Sequence, residues 1–296
     1  MQSDDHDHDI DTPPTTAPTR KPPRKGIYVL PNLFTLAALF GGFYAIVMAI
    51  NGRFDLATIG VFAAMVLDSL DGRVARLTNT QSAFGEQMDS LSDMVSFGAA
   101  PALIAYLWAL QPLGRWGWIA AFIYCSCAAL RLARFNVNTG VVDKRFFQGL
   151  PSPAAAALVT GFIWLTNEMI TAHRDVPWFK AFLELFIRRG EDLVRGDLSW
   201  VMFAITLFAG LTMVTNVPYY SFKDFGGRRS VPFVWVVLLV LLIALINIEP
   251  PTMLFLLFVA YSISGYGLYV WRKSRGQYVS IVATSTDEPD EKGLHQ

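Results

Sequence analysis

Charge and cysteine are both scarce in this 296-residue chain. Only 16% of the residues are Asp, Glu, Lys or Arg, where a soluble domain carries about 25%, so an ordinary soluble enzyme is excluded. Net charge is missing as well, because 24 basic residues balance 24 acidic ones. That removes any bulk electrostatic attraction to nucleic acid, and no nucleic-acid partner is expected. The two cysteines, Cys125 and Cys127, lie two apart in one apolar run, a poor geometry for a mutual disulfide and too few ligands for a zinc site. The opening stretch has neither a basic start nor an apolar run, so the pattern of a secretory signal does not appear. What remains is apolar: 53% of the residues are hydrophobic and the mean hydropathy is +0.38.

The apolar residues are gathered into stretches long enough to cross a hydrocarbon core of about 30 Å, which takes about 20 helical residues. Eight such stretches are expected, near 28–50, 54–71, 84–110, 115–137, 151–172, 198–216, 231–248 and 251–271. The expected fold class is therefore an all-α integral membrane protein. Most Trp residues, among them Trp116, Trp118, Trp178, Trp200 and Trp271, fall near span ends, where an amphipathic ring suits the headgroup layer. Residues 1–26, with five Asp and three Pro in the first 19, read as a disordered tail with a basic membrane-side end, and 273–296 reads as a second tail. Placing the N-terminus in the cytoplasm puts sixteen Lys and Arg on the inner side and seven on the outer. This asymmetry puts both termini inside. Residues 174–197 contain VPWFKAFLELFIRR, a pattern suited to a helix lying on the membrane surface.

The second stretch carries the informative irregularity. Its uncharged run, Leu56 to Leu67, has only 12 residues, so the helix must continue past Asp68 toward Asp71 to span. The third begins with Glu86, Asp89 and Asp93 at the same membrane face. Asp68 and Asp71 are three apart and Asp89 and Asp93 four apart, so each pair shares a helix face. Carboxylates at the edge of a membrane need a cation or a water-filled cavity, and their oxygens suit a hard divalent ion. One or two Mg²⁺ or Mn²⁺ ions would resolve the repulsion. Spacing alone also allows an acidic helix start paired with Arg73 and Arg76.

Taken together, residues 68–93 read DxxDGxxAR(x8)GxxxDxxxD, with Asp68, Asp71, Gly72, Ala75, Arg76, Gly85, Asp89 and Asp93 at the specified positions. This string resembles the signature of the CDP-alcohol phosphatidyltransferase family. The resemblance implies a six-helix catalytic core, here within 27–225, and leaves 230–272 as two extra C-terminal helices suited to scaffold or dimer packing. It implies transfer of a phosphatidyl group from a CDP-linked lipid to an alcohol with release of CMP, by a homodimer in a bacterial cytoplasmic membrane with the active site facing inward. It also implies that Asp68, Asp71, Asp89 and Asp93 ligate two metal ions, with Asp93 as general base beside Asp89. Gly72, Ala75 and Gly85 would let the nucleotide lie close, and Arg76 would stand near the phosphates.

The acceptor is read from three further strings. PNLFT puts Asn32 and Thr35 one turn apart at the start of the first span, where they could reach the CDP-lipid or cap the helix. RLARFN, with Arg131 and Arg134, is followed by FQGLPSPAA, with Ser152, and later by TNVPYYSFKD, with Ser221 and Lys223. These segments resemble the membrane-bound phosphatidylserine synthases of that family, which implies CDP-diacylglycerol and L-serine as substrates. A zwitterionic acceptor needs a cation for its carboxylate, and Arg131, Arg134, Ser152 and Lys223 are the candidates; anchoring to anionic headgroups is the other use of such cations. Glycerol 3-phosphate, inositol phosphate and choline remain as alternative acceptors. An ion or metal transporter is a remote alternative, since its charges would be spread near the midplane of several helices.

Overall fold

The computed structural model describes residues 29–78, 80–137, 146–171, 177–178, 181, 198–220 and 233–275. The two tails, most of the surface helix expected at 174–197, and Ser221 and Lys223 lie outside these residues. Eight helices occupy the eight expected stretches: α1 Val29–Ile50, α2 Phe54–Thr78, α3 Ala83–Leu113, α4 Arg115–Val137, α5 Ser152–Thr171, α6 Ser199–Val214, α7 Phe233–Ile248 and α8 Pro250–Ser274. Five of them, α1, α3, α4, α5 and α8, are long and apolar enough to cross a membrane. Large apolar side chains such as Leu33, Phe40, Ile59, Phe122 and Ile263 point outward, the arrangement that suits lipid as solvent. The protein is an all-α integral membrane protein.

The packing runs through small residues, as it must where lipid is as apolar as the helix faces and close backbone approach supplies the attraction. Helices α1 and α2 touch at Gly41 and Gly60; a Cβ on Gly60 would stand 3.1 Å from both the Gly41 carbonyl oxygen and the Ala45 Cβ. This contact sets the far end of α2, with its two aspartates, against the first turns of α1. Interhelical hydrogen bonds add registry: Ser92 donates to the Thr35 carbonyl at 3.2 Å and Ser96 to the Ala38 carbonyl at 3.1 Å. Each such bond contributes roughly 0.6–2 kcal/mol in a bilayer.

Two features differ from the expected plan. Helix α2 runs seven residues beyond Asp71 to Thr78, so the whole segment from Asp68 to Arg76 is helical. Helix α3 is irregular: Met94–Ala99 and Tyr106–Leu110 are wide π-helical turns. Pro101 explains the first, because it has no N–H to give the Phe97 carbonyl four residues back. The ladder slips there to a five-residue bond from the Ala100 N–H to the Val95 carbonyl, and the Tyr124 hydroxyl fills the gap by donating to Phe97 at 3.1 Å. A wide turn starting directly after Asp93 is a placement common at functional sites.

A short antiparallel ribbon adds to the helices. β1 (Phe146–Gln148) pairs with β2 (Pro218–Tyr220), with Phe147 opposite Tyr219. Gly149 follows β1 with φ of +73°, a left-handed conformation that costs glycine little, and its N–H donates to the Val217 carbonyl at 2.9 Å. Gly149 thus makes the bend that leads into α5.

Candidate active site

The start of α1, the end of α2, the start of α3, the end of α4 and the start of α5 meet at one end of the bundle. Ligand oxygens of Asp68, Asp71 and Asp89 all lie within 4.8 Å of one another. Asp93 is not in that tight group; it joins through Asp68, which is within hydrogen-bonding reach of both Asp93 and Asp89. The four expected carboxylates are therefore assembled, three around one point and the fourth to one side.

Their partners divide them further. Asp71 is only 6% exposed, and both its oxygens are engaged: the Thr35 hydroxyl donates to Oδ2 at 2.7 Å, and the Gly72 N–H donates to Oδ1. By contrast, Asp89 Oδ1 and Asp93 Oδ1 are buried with no hydrogen-bond partner. Leaving a charged oxygen buried and unpartnered costs several kcal/mol, and clustering four carboxylates adds repulsion. An all-oxygen, all-carboxylate donor set with orphaned buried atoms fits a hard divalent cation.

Beside the carboxylates lies a cavity of about 200 Å³, lined by Asn32, Thr35, Gly72, Ala75, Arg76 and Gly85 together with Asp71 and Asp89. Every residue expected to contact the CDP-lipid is in this wall. Gly72 opens onto space, since a Cβ there would meet only Arg76 Nη1 at 3.8 Å, whereas a Cβ on Gly85 would press on Ser82 Oγ at 3.1 Å and Asn32 Oδ1 at 3.4 Å. Arg76 is exposed at the rim. Thr35 has a double position, facing the cavity while fixing Asp71. Sequence reasoning missed Thr80, Gln81 and Ser82 as lining residues, while Glu86, expected at the same face, lines the cavity too. A local signal for Ser82 was present: it precedes α3 and its hydroxyl accepts from the Gly85 N–H at 3.0 Å as a helix cap.

The expected cations Arg131 and Arg134 lie near the end of α4. Arg131 is 9% exposed, and its Nη1 donates to Ser152 Oγ at 2.8 Å while Nε is buried without a partner. Asp93 and Arg131 are close enough to attract one another. Two residues expected at the acceptor site are thus in contact, next to the expected base. Arg134 has different work. Its Nη1 donates to the Val214 carbonyl and Asn216 Oδ1, both at 3.2 Å, and its Nη2 to the Gln148 carbonyl at 3.1 Å. It closes the last turn of α6, whose final carbonyls have no partner within the helix, onto the ribbon. Lys223 lies outside the described residues.

Residues 28–211 match the family model described as CDP-alcohol phosphatidyltransferase. A Helicobacter pylori protein named CDP-diacylglycerol–serine O-phosphatidyltransferase is 34% identical over 249 residues, covering 84% of this chain and 93% of the relative. Proteins of the same name from Methanocaldococcus jannaschii and Saccharomyces cerevisiae are 40% and 38% identical, over 49% and 46% of this chain and 65% and 54% of their own lengths.

Proposed function

The chain belongs to the CDP-alcohol phosphatidyltransferase family, and from that premise we propose that it transfers the phosphatidyl group of CDP-diacylglycerol to L-serine, giving phosphatidylserine and CMP. The observation that carries the choice of acceptor is the position of Asp93. It interacts both with Asp68, Asp71 and Asp89 and with Arg131, whose Nη1 donates to Ser152. A base with both neighbours serves a phosphate site and a carboxylate site together. The relatives' shared name supports the same acceptor.

In this reading the cavity beside Gly72, Ala75 and Gly85 takes the cytidine and its phosphates, with Asn32 on the wall and Arg76 at the rim. Asp68, Asp71 and Asp89, with Asp93 at their edge, would hold a pair of Mg²⁺ or Mn²⁺ ions. When bound, these ions neutralise the pyrophosphate and ease departure of the leaving phosphate. Thr35 and the Gly72 N–H keep Asp71 in one orientation. Arg131 takes the carboxylate of serine through its Nε edge, a forked donor set matched to a carboxylate. Asp93 accepts the proton of the serine hydroxyl as that oxygen bonds to the diacylglycerol-linked phosphorus and the bond from this phosphorus to the CMP oxygen breaks. The active end faces the cytoplasm, a placement supported by the distribution of Lys and Arg along the sequence.

The acceptor site is tested by Arg131→Ala. The KM for serine is expected to rise about a hundredfold, the cost typical of removing one partner from a buried charge contact, with the KM for CDP-diacylglycerol within about twofold. Equal rises in both would assign Arg131 to the phosphates or the scaffold instead.

A further inference from the structure

Helix α3 keeps one outward face along its length because of the wide turn at Met94–Ala99. Before the turn, Phe84 and Leu91 are exposed, and after it Leu103 is exposed as well. At about 100° per residue, an unbroken α-helix would set Leu103 about 120° round the axis from Leu91. A wide turn takes up about one extra residue, which reduces that difference to about 20°. The outward leucines on its two sides therefore share a face. Asp89 and Asp93 stand two residues either side of Leu91, about 160° round the axis from it, so the same turn keeps both carboxylates on the inward side.

Two side chains hold the turn open. Pro101 has no N–H for the Phe97 carbonyl, so the ordinary helical bond cannot close there. The Ala100 N–H reaches the Val95 carbonyl instead, and the Tyr124 hydroxyl donates to Phe97 at 3.1 Å. Tyr124 is fully buried on α4, which makes its hydroxyl a fixed substitute for the missing donor. Neighbouring helices grip the turn as well: Ser96 donates to the Ala38 carbonyl of α1, and a Cβ on Gly98 would stand 3.3 Å from the Ala128 Cβ of α4. The two halves of α3 are unequally anchored. Beyond the turn Ala100, Pro101, Ala102, Ile104 and Ala105 are buried, whereas within Ala83–Asp93 only Ser92 is. Tightening the turn would thus swing the aspartate end by about 100° and leave the buried half in place.

We propose that Tyr124 and Pro101 are positioning residues, which aim Asp89 and Asp93 into the site by holding the Met94–Ala99 turn open. This rests on the reading of the carboxylate cluster as the cation site with Asp93 as its base. The two residues act through the backbone of α3.

The test uses the full-length enzyme in detergent, with Tyr124→Phe, Pro101→Ala and the double variant. Each is measured for kcat, for Tm in chelator and for the rise in Tm that Mn²⁺ produces. Tyr124→Phe is expected to lower the Tm in chelator, because a buried carbonyl loses its donor. The double variant is expected to recover that Tm, since Pro101→Ala restores an N–H four residues from the same carbonyl and lets the turn tighten. Its kcat is expected to fall about a hundredfold, the size typical of a displaced catalytic group, and its Mn²⁺ shift to shrink. Pro101→Ala alone is expected to keep its Tm while losing part of kcat, which keeps the proposal testable if Tyr124→Phe does not fold. Recovery of Tm, kcat and the Mn²⁺ shift together in the double variant would reduce the pair to satisfying the backbone and overturn the proposal. A Tm that stays low in the double variant, or a wild-type kcat in Pro101→Ala, would overturn it too, with the carboxylate site left standing. Wild-type turnover and Mn²⁺ shift in both Asp89→Asn and Asp93→Asn would remove the carboxylate reading and this proposal with it.

Discussion

Asp93→Asn is expected to lower kcat by about a thousandfold, within the range that loss of a general base produces. The substitution keeps the shape and one oxygen of the side chain but removes its capacity to take a proton. Asp93 lies outside the tight group in which ligand oxygens of Asp68, Asp71 and Asp89 converge, and the Asn variant keeps one ligand oxygen for the edge of the cation site, so that point of convergence is left intact. Thermal stabilisation of the variant by CDP-diacylglycerol with Mn²⁺ is therefore expected to remain close to that of the wild type. Retained turnover would remove Asp93 as the base. Loss of lipid-dependent stabilisation along with turnover would move it into the binding set.

The second large effect concerns the cation. Removing divalent ions with a chelator is expected to abolish transfer, and the sharper readout is stability. At about a hundred times its Kd, a cation bound only by the folded state stabilises it by about 2.7 kcal/mol, a shift of several degrees in Tm for a protein of this size. Asp89→Asn is expected to lose most of that shift, because Asp89 supplies a ligand oxygen of the three-carboxylate group and its Oδ1 is buried with no other partner. The sign reverses without metal. Replacing one of four clustered carboxylates by a neutral amide relieves repulsion, so the metal-free variant is expected to unfold at a higher temperature than the metal-free wild type. An unchanged Mn²⁺ shift in Asp89→Asn would show that the cluster is not the cation's seat.

Much of this architecture is legible in the sequence because membrane spans announce themselves by apolar length, and all eight expected stretches are helical. The carboxylate cluster is legible for a related reason: acids at the edge of an apolar run are costly, and their three- and four-residue spacing fixes the face they share. Asn32, Gly72, Ala75, Arg76 and Gly85 come together on one cavity wall as the motif implies. What the sequence does not carry is partnership across long separations. Nothing local distinguishes Arg131, paired with Ser152, from Arg134, three residues on and spent on backbone carbonyls. One turn of α4 turns the first inward and gives the second to the end of α6.

The wide turns of α3 were hidden for a different reason. Pro101 is visible, but proline in a membrane helix can kink it, end it or be absorbed, and the outcome here depends on Tyr124, more than twenty residues away, satisfying the Phe97 carbonyl. Thr35 shows the same limit. Its position one turn after Asn32 suggested a cap or a lipid contact, and its bond to Asp71 on α2 follows only from the close approach of α1 and α2 at Gly41 and Gly60. In each case the sequence shows a residue capable of a bond, and the tertiary packing decides which bond it makes.

The central claim, that this end of the bundle joins a CDP-linked lipid to serine, is tested most directly by release of CMP from labelled CDP-diacylglycerol by the purified protein. The assay is run with Mg²⁺ or Mn²⁺ across a panel of serine, glycerol 3-phosphate, inositol phosphate and choline. CMP release that depends on serine and on the divalent cation, with matching formation of labelled phosphatidylserine, is the result predicted. Release driven by one of the other alcohols while serine is inert would contradict it.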